Sequence, residues 1–315
     1  MEIRQFCNAD LPSLAQVWSE HWAAAGPPPP VSATIIERSI LARPFFRPHE
    51  LLVVETEGRV EAWCHFGRLR KDEDLDATPD QSVAVVSSIC FSQAGLHHSD
   101  ELLAAAEKQV SQEGCSRVVV GLLRDQKSGY VGLPPVGHGI GIPDMDVRVS
   151  SLLSRHGYRP AESAIRMEVT TAPYRPPVNR EMMQFRRTTR TEHSSVIPRE
   201  GRYAAAMSHL DIEHHRLINH RSGERLANVR LWLSDPESQV MSCSEAILDL
   251  SVIETQGSLT SAESFLVTAV IQSMTTRCVF RLETSIDATN HELVQQLEAL
   301  QFHESGRGHR WAKEV

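Results

Sequence analysis

The sequence predicts an α/β fold of mixed α+β type, in which two similar domains follow one another along the chain. Each domain is expected to hold a mixed, mostly antiparallel twisted sheet with helices on both faces. Two observations carry this prediction. The order strand, helix, helix, strands, helix, strand, helix, strand occurs twice. "SSLLSRHGYRP" and "VQQLEALQF" each form an amphipathic pattern that ends in a turn and leads into an extended segment.

A proline-rich segment between the two copies predicts the domain boundaries. "TAPYRPPVNR" covers residues 171–180, and proline keeps such a segment extended and removes backbone donors. We therefore expect an N-terminal domain over residues 1–170, a linker over 171–180 and a C-terminal domain over 181–315.

Composition limits the classes of function. Apolar residues make up 41% of the 315 residues, which is enough for real cores, and the formal charge is −8. A negative balance argues against broad nucleic-acid binding, which needs a basic face. No apolar stretch approaches the ~20 residues that span a bilayer. Six scattered cysteines without a CxxC pair suggest reduced thiols, so we expect a cytoplasmic protein with no membrane contact.

The first copy can be read element by element. A strand over Ile3–Phe6 precedes a helix that Asn8 or Asp10 can cap. Glu57-Gly58 indicates a hairpin, and "RVVVGLL" is predicted to be a strand. Further predicted elements are a helix at 32–41, a strand at 82–91, a helix that starts at Ser99 or Asp100, and a helix from Ser150.

The second copy repeats that order from residue 182. "MMQFRRT" is expected to be its opening strand, and "EAILDLSVI" corresponds to the strand at 82–91. "TSAESFLVTAVIQSM", "CVFRLE" and "ATNHELVQQLEALQF" correspond to the following helix, strand and closing helix. The aligned inward positions of the two closing helices are Val149, Leu153 and His156 in the first and Leu293, Leu297 and Leu300 in the second.

Three segments carry a resemblance to a known family. "IRQFCNADLPSL", "RHGYRP" and "ATNHELVQQLEALQF" resemble the first strand, the closing turn and the closing helix of the GCN5-related N-acetyltransferase (GNAT) superfamily, in a tandem arrangement. The resemblance implies an acyl-CoA-dependent N-acetyltransferase, with acetyl-CoA as co-substrate and no metal. It would move acetyl to an amine of a small molecule or peptide, and a homodimer is possible.

The resemblance also implies where acetyl-CoA binds. The family's phosphate loop, R/Q-x-x-G-x-G/A, lies before a helix whose free N–H groups and dipole attract phosphate. Here Ala94 and Gly257 replace the Arg/Gln, so both loops depart from the pattern. Thr260 and Ser261 can donate hydroxyls to phosphate or simply cap the helix. The implied cofactor-binding residues are Ile89, Phe91, Gly95, His97, His98 and Ser99 in the first copy, and Val252, Gly257, Thr260, Ser261, Ala262 and Asn290 in the second.

Catalytic groups are implied only in the second copy. The family often uses a Glu on its fourth strand as the base, and there the second copy has Glu245 and Asp249. Asp249 can also be a solvent-facing strand residue. Leu153 and Leu297 stand where the family has a tyrosine acid. The alternative function is therefore a catalytically degenerate protein that binds acyl-CoA or a partner.

A glycine-rich loop at residues 129–146 has no counterpart in the second copy. His138, Asp144 and Asp146 in this loop can contact an amine substrate, since ligands bind near such strand ends. The alternatives are a surface loop packed against the other domain, a lid, or a phosphate loop formed by "GHGIGIP".

A histidine-rich segment, "HLDIEHHRLINH", begins at His209. We interpret it as an exposed helix. Without a full ligand set it does not indicate a metal site.

Overall fold

The computed structural model describes residues 1–25, 31–43, 46–68, 83–124, 130–137, 139–197, 201–235, 237, 240–253 and 257–315. These residues form two compact units. Unit 1 comprises Met1–Ala164, Arg199–Ser208 and Arg307–Val315, and unit 2 comprises Ile165–Pro198 and His209–Gly306. Each unit thus combines separate stretches of the chain.

The strands and helices are numbered in chain order. The strands are β1 (Glu2–Gln5), β2 (Leu51–Thr56), β3 (Arg59–Arg68), β4 (Val83–Phe91), β5 (Arg117–Val120), β6 (Ile142–Pro143), β7 (Arg159–Thr170), β8 (Thr189–Val196), β9 (Leu210–Asn219), β10 (Arg225–Ser234), β11 (Glu245–Asp249), β12 (Arg281–Asp287) and β13 (His303–Glu314). The helices are α1 (Leu11–Ala23), α2 (Ala33–Ile36), α3 (Ser99–Gln112), α4 (Val147–Arg155), α5 (Arg180–Thr188), α6 (Gly201–Met207), α7 (Ser261–Met274) and α8 (His291–Ala299).

The sheet of unit 1 has the order β1-β2-β3-β4-β5, followed by the C-terminal part of β13. Neighbouring strands are antiparallel except β4 and β5, which are parallel and joined through α3. The last residues of the chain complete this sheet, because Trp311 pairs with Val120 of β5. One face packs on α3 and α4, and the other packs on α1 through Trp18 and Trp63.

The sheet of unit 2 has the order β8-β9-β10-β11-β12-β7. β11 and β12 are parallel and joined through α7, in the same way as β4 and β5. Alternate residues of β10 and β11, such as Leu231 and Leu248, pack on α7 and α8. The intervening residues, including Arg230 and Asp249, therefore lie on the opposite face of the sheet.

The fold class is confirmed, and most elements lie where the sequence places them. Glu57 and Gly58 form the predicted hairpin turn with positive φ values of 53° and 78°. Gly157 and Gln301 end the two closing helices in the same left-handed conformation, at 81° and 71°. Five of the six aligned inward residues are buried, and only His156 is partly exposed. This agreement supports the duplication.

Two predicted elements are wrong. "MMQFRRT" belongs to α5, because Asn179 accepts a hydrogen bond from Met182 N and caps a run of good helix formers. The histidine-rich segment is the strand β9. Consecutive side chains of a strand point to opposite faces, so His214 and His215 lie on different sides of the sheet.

The proline-rich segment is anchored within unit 2. Thr171 N donates to Phe280 O at 3.0 Å, and Tyr174 Oη donates to Leu300 O at 3.3 Å. The predicted boundaries at residues 170 and 181 stay a prediction about domains, since compact packing does not show which segments fold independently. None of the described helices is both long and apolar enough to cross a bilayer.

Candidate functional site

In unit 2, β11 and β12 separate towards their C-terminal ends. Their register runs from Glu245↔Arg281 to Ile247↔Glu283 and ends there. β11 continues to Asp249 while remaining paired with β10, and β12 continues to Asp287. The inner edge of β11 therefore faces a gap between two parallel strands, at the end of the sheet where ligands usually bind.

Asp249 lies at this gap and has an unusual environment. Its side chain is on the face away from α7, and the residue is only 7% exposed. Oδ1 accepts a hydrogen bond from Ser251 N at 2.9 Å. Oδ2 is buried without a hydrogen-bond partner among the described residues. Such a group costs free energy, and that cost is typical of a residue kept for function.

The second predicted carboxylate is far from this point. Glu245 stands at the opposite end of β11, where it is ion-paired with Arg281. Four residues of strand separate it from Asp249, or about 13 Å. The two side chains are therefore not brought together.

A chain of hydrogen bonds holds the loop after β11 beside Asp249. Asn228 of β10 donates from Nδ2 to the carbonyl of Val252 at 3.3 Å, which leaves its Oδ1 as an acceptor. His214 Nε2 lies 2.8 Å from that oxygen and therefore carries the proton. Burial lowers the pKa of His214, and the positive charges of Arg216 and Arg230 lower it further. Val252, expected to pair with cofactor through its backbone, lies in this turn rather than in the strand.

The N-terminus of α7 is closed by its own side chains. Thr260 Oγ1 accepts from Glu263 N at 3.2 Å, and the Glu263 carboxylate accepts from Thr260 N at 2.8 Å. This capping box confirms the capping interpretation of Thr260. The Ser261 hydroxyl donates to the Glu181 carboxylate at 2.7 Å, so it is bonded within the protein. In the described part of the chain, the N–H groups of Ser261 and Ala262 have no hydrogen-bond acceptor at this end.

The loop before α7 passes close to α8. Gly257 has a φ of +117°, and a Cβ there would lie 3.6 Å from Asn290 Nδ2. Asn290 caps α8 by accepting from Leu293 N at 3.1 Å. Gln296 of α8 accepts a hydrogen bond from Leu259 N through Oε1 and donates one to the carbonyl of Leu259 through Nε2. Gly257 and Asn290 are thus neighbours next to the mouth of the gap.

Unit 1 shows the same separation of strands. The register of β4 and β5 ends at Val86↔Val120, after which Gly121 N donates to Val86 O at 2.9 Å. Ser87 forms a bulge at this point, where the register with β3 shifts. The continuation of β4 contains the buried Ile89 and Phe91.

In unit 1 the exposed edge of β4 is already bonded within the protein. Ser92 N donates towards β3, so the N–H of Phe91 points to the side that β5 has left. His21 Nδ1 accepts from that N–H at 3.3 Å. Because Nδ1 is an acceptor, Nε2 carries the proton and donates to Asp146 Oδ2 at 2.7 Å. Both side chains are almost completely buried.

Asp146, a predicted substrate contact, is therefore part of the interior of unit 1. It caps α4 by accepting from Val149 N at 3.4 Å. Arg148 Nε lies 3.6 Å from its other oxygen and Arg148 Nη2 donates to the carbonyl of His21 at 2.5 Å. These contacts hold the imidazole of His21 against β4.

The predicted phosphate loop of unit 1 also has a structural use. Residues Gly95–His98 form a 3-10 turn, and Ser99 N and Oγ both bond the carbonyl of Leu96. A Cβ on Gly95 would lie 2.0 Å from the carbonyl oxygen of Glu61, so close packing requires the glycine. Asp100 carries a negative charge in the first turn of α3 and pairs with Arg155 at 2.9 Å. His97 and His98 belong to the same turn.

The glycine-rich loop of unit 1 is part of its core. Tyr130 is fully buried, stacks on Trp18 with a 5.9 Å centroid distance and bonds His65 Nδ1 at 2.9 Å. Burial lowers the pKa of His65 to about 4. A Cβ on Gly141 would meet the backbone of His309 at 2.3 Å, so these glycines serve close packing rather than phosphate binding. The phosphate-loop alternative is wrong, and His138 lies outside the described residues.

Asp144, the remaining predicted substrate contact, lies in an open groove of about 670 Å³ in unit 1. Its carboxylate is 3.3 Å from His309 Nε2, and His309 Nδ1 is 2.7 Å from Ser163 Oγ. Asp144 is about half exposed, whereas His21 is buried.

Sequence reasoning missed three residues of these sites: His21, Asn228 and Arg230. His21 stands on the inward face of an amphipathic helix, where a polar residue is a signal for a buried contact. Asn228 and Arg230 alternate with Ala227, Val229 and Leu231, which is the signal of a strand with one polar face. In the described part of the chain no three histidine, cysteine or acidic residues group as metal ligands.

Solved structures with known folds resemble the whole chain. A GCN5-related N-acetyltransferase from Sphaerobacter thermophilus matches with a TM-score of 0.65 and 13% identity, over 99% of this chain and 95% of that one. A tandem GNAT protein from the clavulanic acid biosynthesis pathway matches with the same TM-score and identity, over 99% and 98%. A GCN5-related glucosamine N-acetyltransferase region of a fungal multi-domain GH3 beta-N-acetylglucosaminidase matches at 0.68 and 11%, over 99% of this chain and 38% of that one.

Sequence comparisons add nothing to this. No protein-family model matches the chain. No curated protein matches it either. At 11–13% identity the structural matches show the fold alone, and that fold is a tandem GNAT arrangement over the whole chain.

Proposed function

We propose that this protein is an acyl-CoA-dependent N-acetyltransferase with one working site per chain, in unit 2. The observation that carries the proposal is Asp249. A buried carboxylate oxygen without a partner among the described residues stands where β11 and β12 separate. The tandem GNAT fold supports the class of reaction, and the geometry of unit 2 supports this location.

The residues of unit 2 fit acetyl-CoA at three points. Among the described residues, no strand pairs with the β12 side of β11 beyond Ile247, and this edge can bond the amides of a pantetheine arm. The N–H groups of Ser261 and Ala262 suit a phosphate at the start of α7. Gly257 and Asn290 flank the path between these points. When bound, acetyl-CoA supplies an activated thioester carbonyl.

Asp249 is the group that takes the proton. An amine attacks a carbonyl only in its neutral form, so a base beside it is required. Asp249 Oδ2 is a free acceptor among the described residues and needs no other bond to break before it accepts. Ser251 N holds the other oxygen and fixes the orientation of the carboxylate. Leu297 stands where the family has its tyrosine, so protonation of the thiolate falls to water.

Among the described residues, unit 1 presents different groups at its gap. His21 bonds the edge of β4, Asp100 brings a negative charge to the start of α3, and Ser87 and Ser88 stand where the strands part. Ligand entry would require the buried His21–Asp146 pair to break. We therefore assign unit 1 a structural role.

A second candidate is a catalytically degenerate protein that binds acyl-CoA or a partner. Two observations favour it: Leu297 replaces the acid, and the Glu263 carboxylate closes the start of α7. The acceptor as a small-molecule or peptide amine, the homodimer and the cytoplasmic location remain predictions.

Titration calorimetry with acetyl-CoA, followed by an assay of thiol release, separates the candidates. We expect one site per chain and thiol release that depends on an added amine. Binding without amine-dependent release supports the second candidate. Absence of binding, with no competition by CoA, removes both.

A further inference from the structure

The loop between β11 and α7 is held at both of its described ends by side-chain amides of unit 2. At the strand end, Asn228 donates to the carbonyl of Val252 at 3.3 Å. At the helix end, Gln296 of α8 accepts from Leu259 N through Oε1 at 2.5 Å and donates to Leu259 O through Nε2 at 3.1 Å. Leu259 precedes Thr260, the cap residue of α7. This clamp of Gln296 on Leu259 therefore sets where the loop enters α7.

The clamp provides hydrogen-bond partners for backbone groups at a buried position. Leu259 is 5% exposed, and its side chain belongs to the core of unit 2. A backbone N–H or C=O that is buried without a partner costs free energy. The amide of a glutamine holds both a donor and an acceptor, so Gln296 alone bonds both groups of Leu259. Without this side chain, the backbone of Leu259 would have to turn towards water to find partners.

The equivalent position of unit 1 carries an apolar residue. Since Leu153 of α4 aligns with Leu297 of α8, Leu152 aligns with Gln296. Leu152 is fully buried in the core of unit 1, and its side chain has no group that can bond a backbone. The polar side chain therefore belongs to the unit that carries the proposed cofactor site, and not to the shared fold.

We propose that Gln296 is a positioning residue of the acetyl-CoA site, which acts through Leu259 and does not contact the reacting atoms. Thr260, Ser261 and Ala262 follow Leu259 directly, so the clamp fixes the backbone whose N–H groups suit the phosphates. A segment that is ordered before a ligand arrives loses less conformational freedom on binding, which favours affinity. The inference rests on the proposed function, because that function supplies the ligand.

The clamp acts on one part of the ligand. Leu259 lies at the helix end of the loop, next to the proposed position of the pyrophosphate. The edge proposed to bond pantetheine belongs to β11, which is held by its own ladder with β10. Loss of the clamp should therefore weaken the binding of ligands that carry the phosphates and spare ligands that consist of the pantetheine arm. A general loss of structure in unit 2 would weaken both.

The test compares CoA with pantetheine, which lacks the phosphates. Titration calorimetry on the full chain measures the affinity for CoA, and competition against CoA measures the affinity for pantetheine. Gln296→Leu gives α8 the residue found in unit 1 and should lower the CoA affinity about tenfold, the scale of two lost neutral hydrogen bonds. The affinity for pantetheine should stay unchanged. In steady-state kinetics, the KM for acetyl-CoA should rise by the same factor at constant kcat.

Two further variants complete the test. Gln296→Asn keeps the amide on a shorter side chain, cannot reach both groups of Leu259 and should also lose affinity for CoA alone. Gln295→Leu changes an exposed neighbour on the same helix and should alter nothing. If Gln296→Leu and Gln296→Asn leave the CoA affinity intact, or lower both affinities equally, Gln296 is not a positioning residue while the proposed function stands. If the unaltered chain binds neither CoA nor pantetheine, the proposed function fails and the inference fails with it.

Discussion

In unit 1 the edge of β4 meets the imidazole of His21, whereas in unit 2 the end of β11 carries a carboxylate oxygen without a partner among the described residues. The backbone event is the same in both, since parallel strands joined by a helix part after a short register. What differs is the content of the gap. Unit 1 fills it with the buried, hydrogen-bonded His21–Asp146 pair, and unit 2 places a buried carboxylate oxygen there.

The helices that follow make the same contrast. α3 and α7 each have 14 residues and begin with serine. Their second residues are Asp100 and Ala262. Both helices carry a carboxylate in the first turn, Asp100 in α3 and Glu263 in α7, so the contrast lies at the second residue alone. Under the proposed function, duplication lets one copy use its cleft for stability while the other binds acetyl-CoA.

The largest expected effect is that of Asp249→Asn. Removal of the base should lower the rate of acetyl transfer by about 10² to 10⁴, with little change in acetyl-CoA affinity. Steady-state kinetics and calorimetry measure the two quantities. Asp144→Asn in unit 1 is the matched control and should retain full activity. If Asp249→Asn leaves the rate of acetyl transfer unchanged, Asp249 is not the catalytic base.

His21→Ala should destabilise unit 1. It removes the hydrogen bond that His21 Nε2 donates to the buried Asp146 carboxylate, which costs about 3 kcal/mol of unfolding free energy. Urea unfolding measures the loss, and His291→Ala on an exposed helix start is the control. The folded fraction should keep its acetyl-CoA affinity. If His21→Ala lowers the affinity for acetyl-CoA as much as Ala262→Asp in unit 2 does, the cleft of unit 1 binds the cofactor.

Acid should weaken unit 1 through His65. Its folded pKa is lowered to about 4, below the ordinary value of about 6.5, so the unfolded chain takes up the proton first. The stability it contributes is full above about pH 6.5 and lost as pH falls towards 4, on the order of 3 kcal/mol. Unfolding at several pH values measures the slope, which His65→Gln should reduce. Titration of the His65 ring near pH 6.5 in the folded protein would contradict this.

The smallest effect sharpens the contrast between the two helices. Ala262→Asp gives α7 the carboxylate that α3 has and should weaken acetyl-CoA binding about tenfold, through repulsion of phosphate. Asp100→Ala is the reciprocal control, and binding should be unchanged. If Asp100→Ala creates a second site instead, the closure of unit 1 depends on that charge alone.

Local pattern was enough to predict most of the fold. The cap residue Thr260 and the run that ends at Met274 predicted α7. The turn residues Glu57 and Gly58 predicted the hairpin. The local pattern gave the wrong element at α5. Its run of apolar and basic residues is compatible with a strand or a helix, and the cap residue Asn179 favours the helix.

The site was less accessible from sequence. The repeat indicated that both copies have a cleft, and Asp249 could be named from its position on a strand. His21 and Asp146 are 125 residues apart, and no local pattern links them. The same holds for β13, whose end completes the sheet of unit 1 from the far terminus. Contacts of this kind arise from topology, which short motifs do not encode.

A crystal structure with bound CoA would show which unit holds the cofactor. We expect density for one pantetheine arm per chain, along the edge of β11 beyond Ile247, with the pyrophosphate at Ser261 and Ala262. In unit 1, His21 should still accept the N–H of Phe91. A pantetheine arm between β4 and β5, with the His21 ring displaced, would contradict the account.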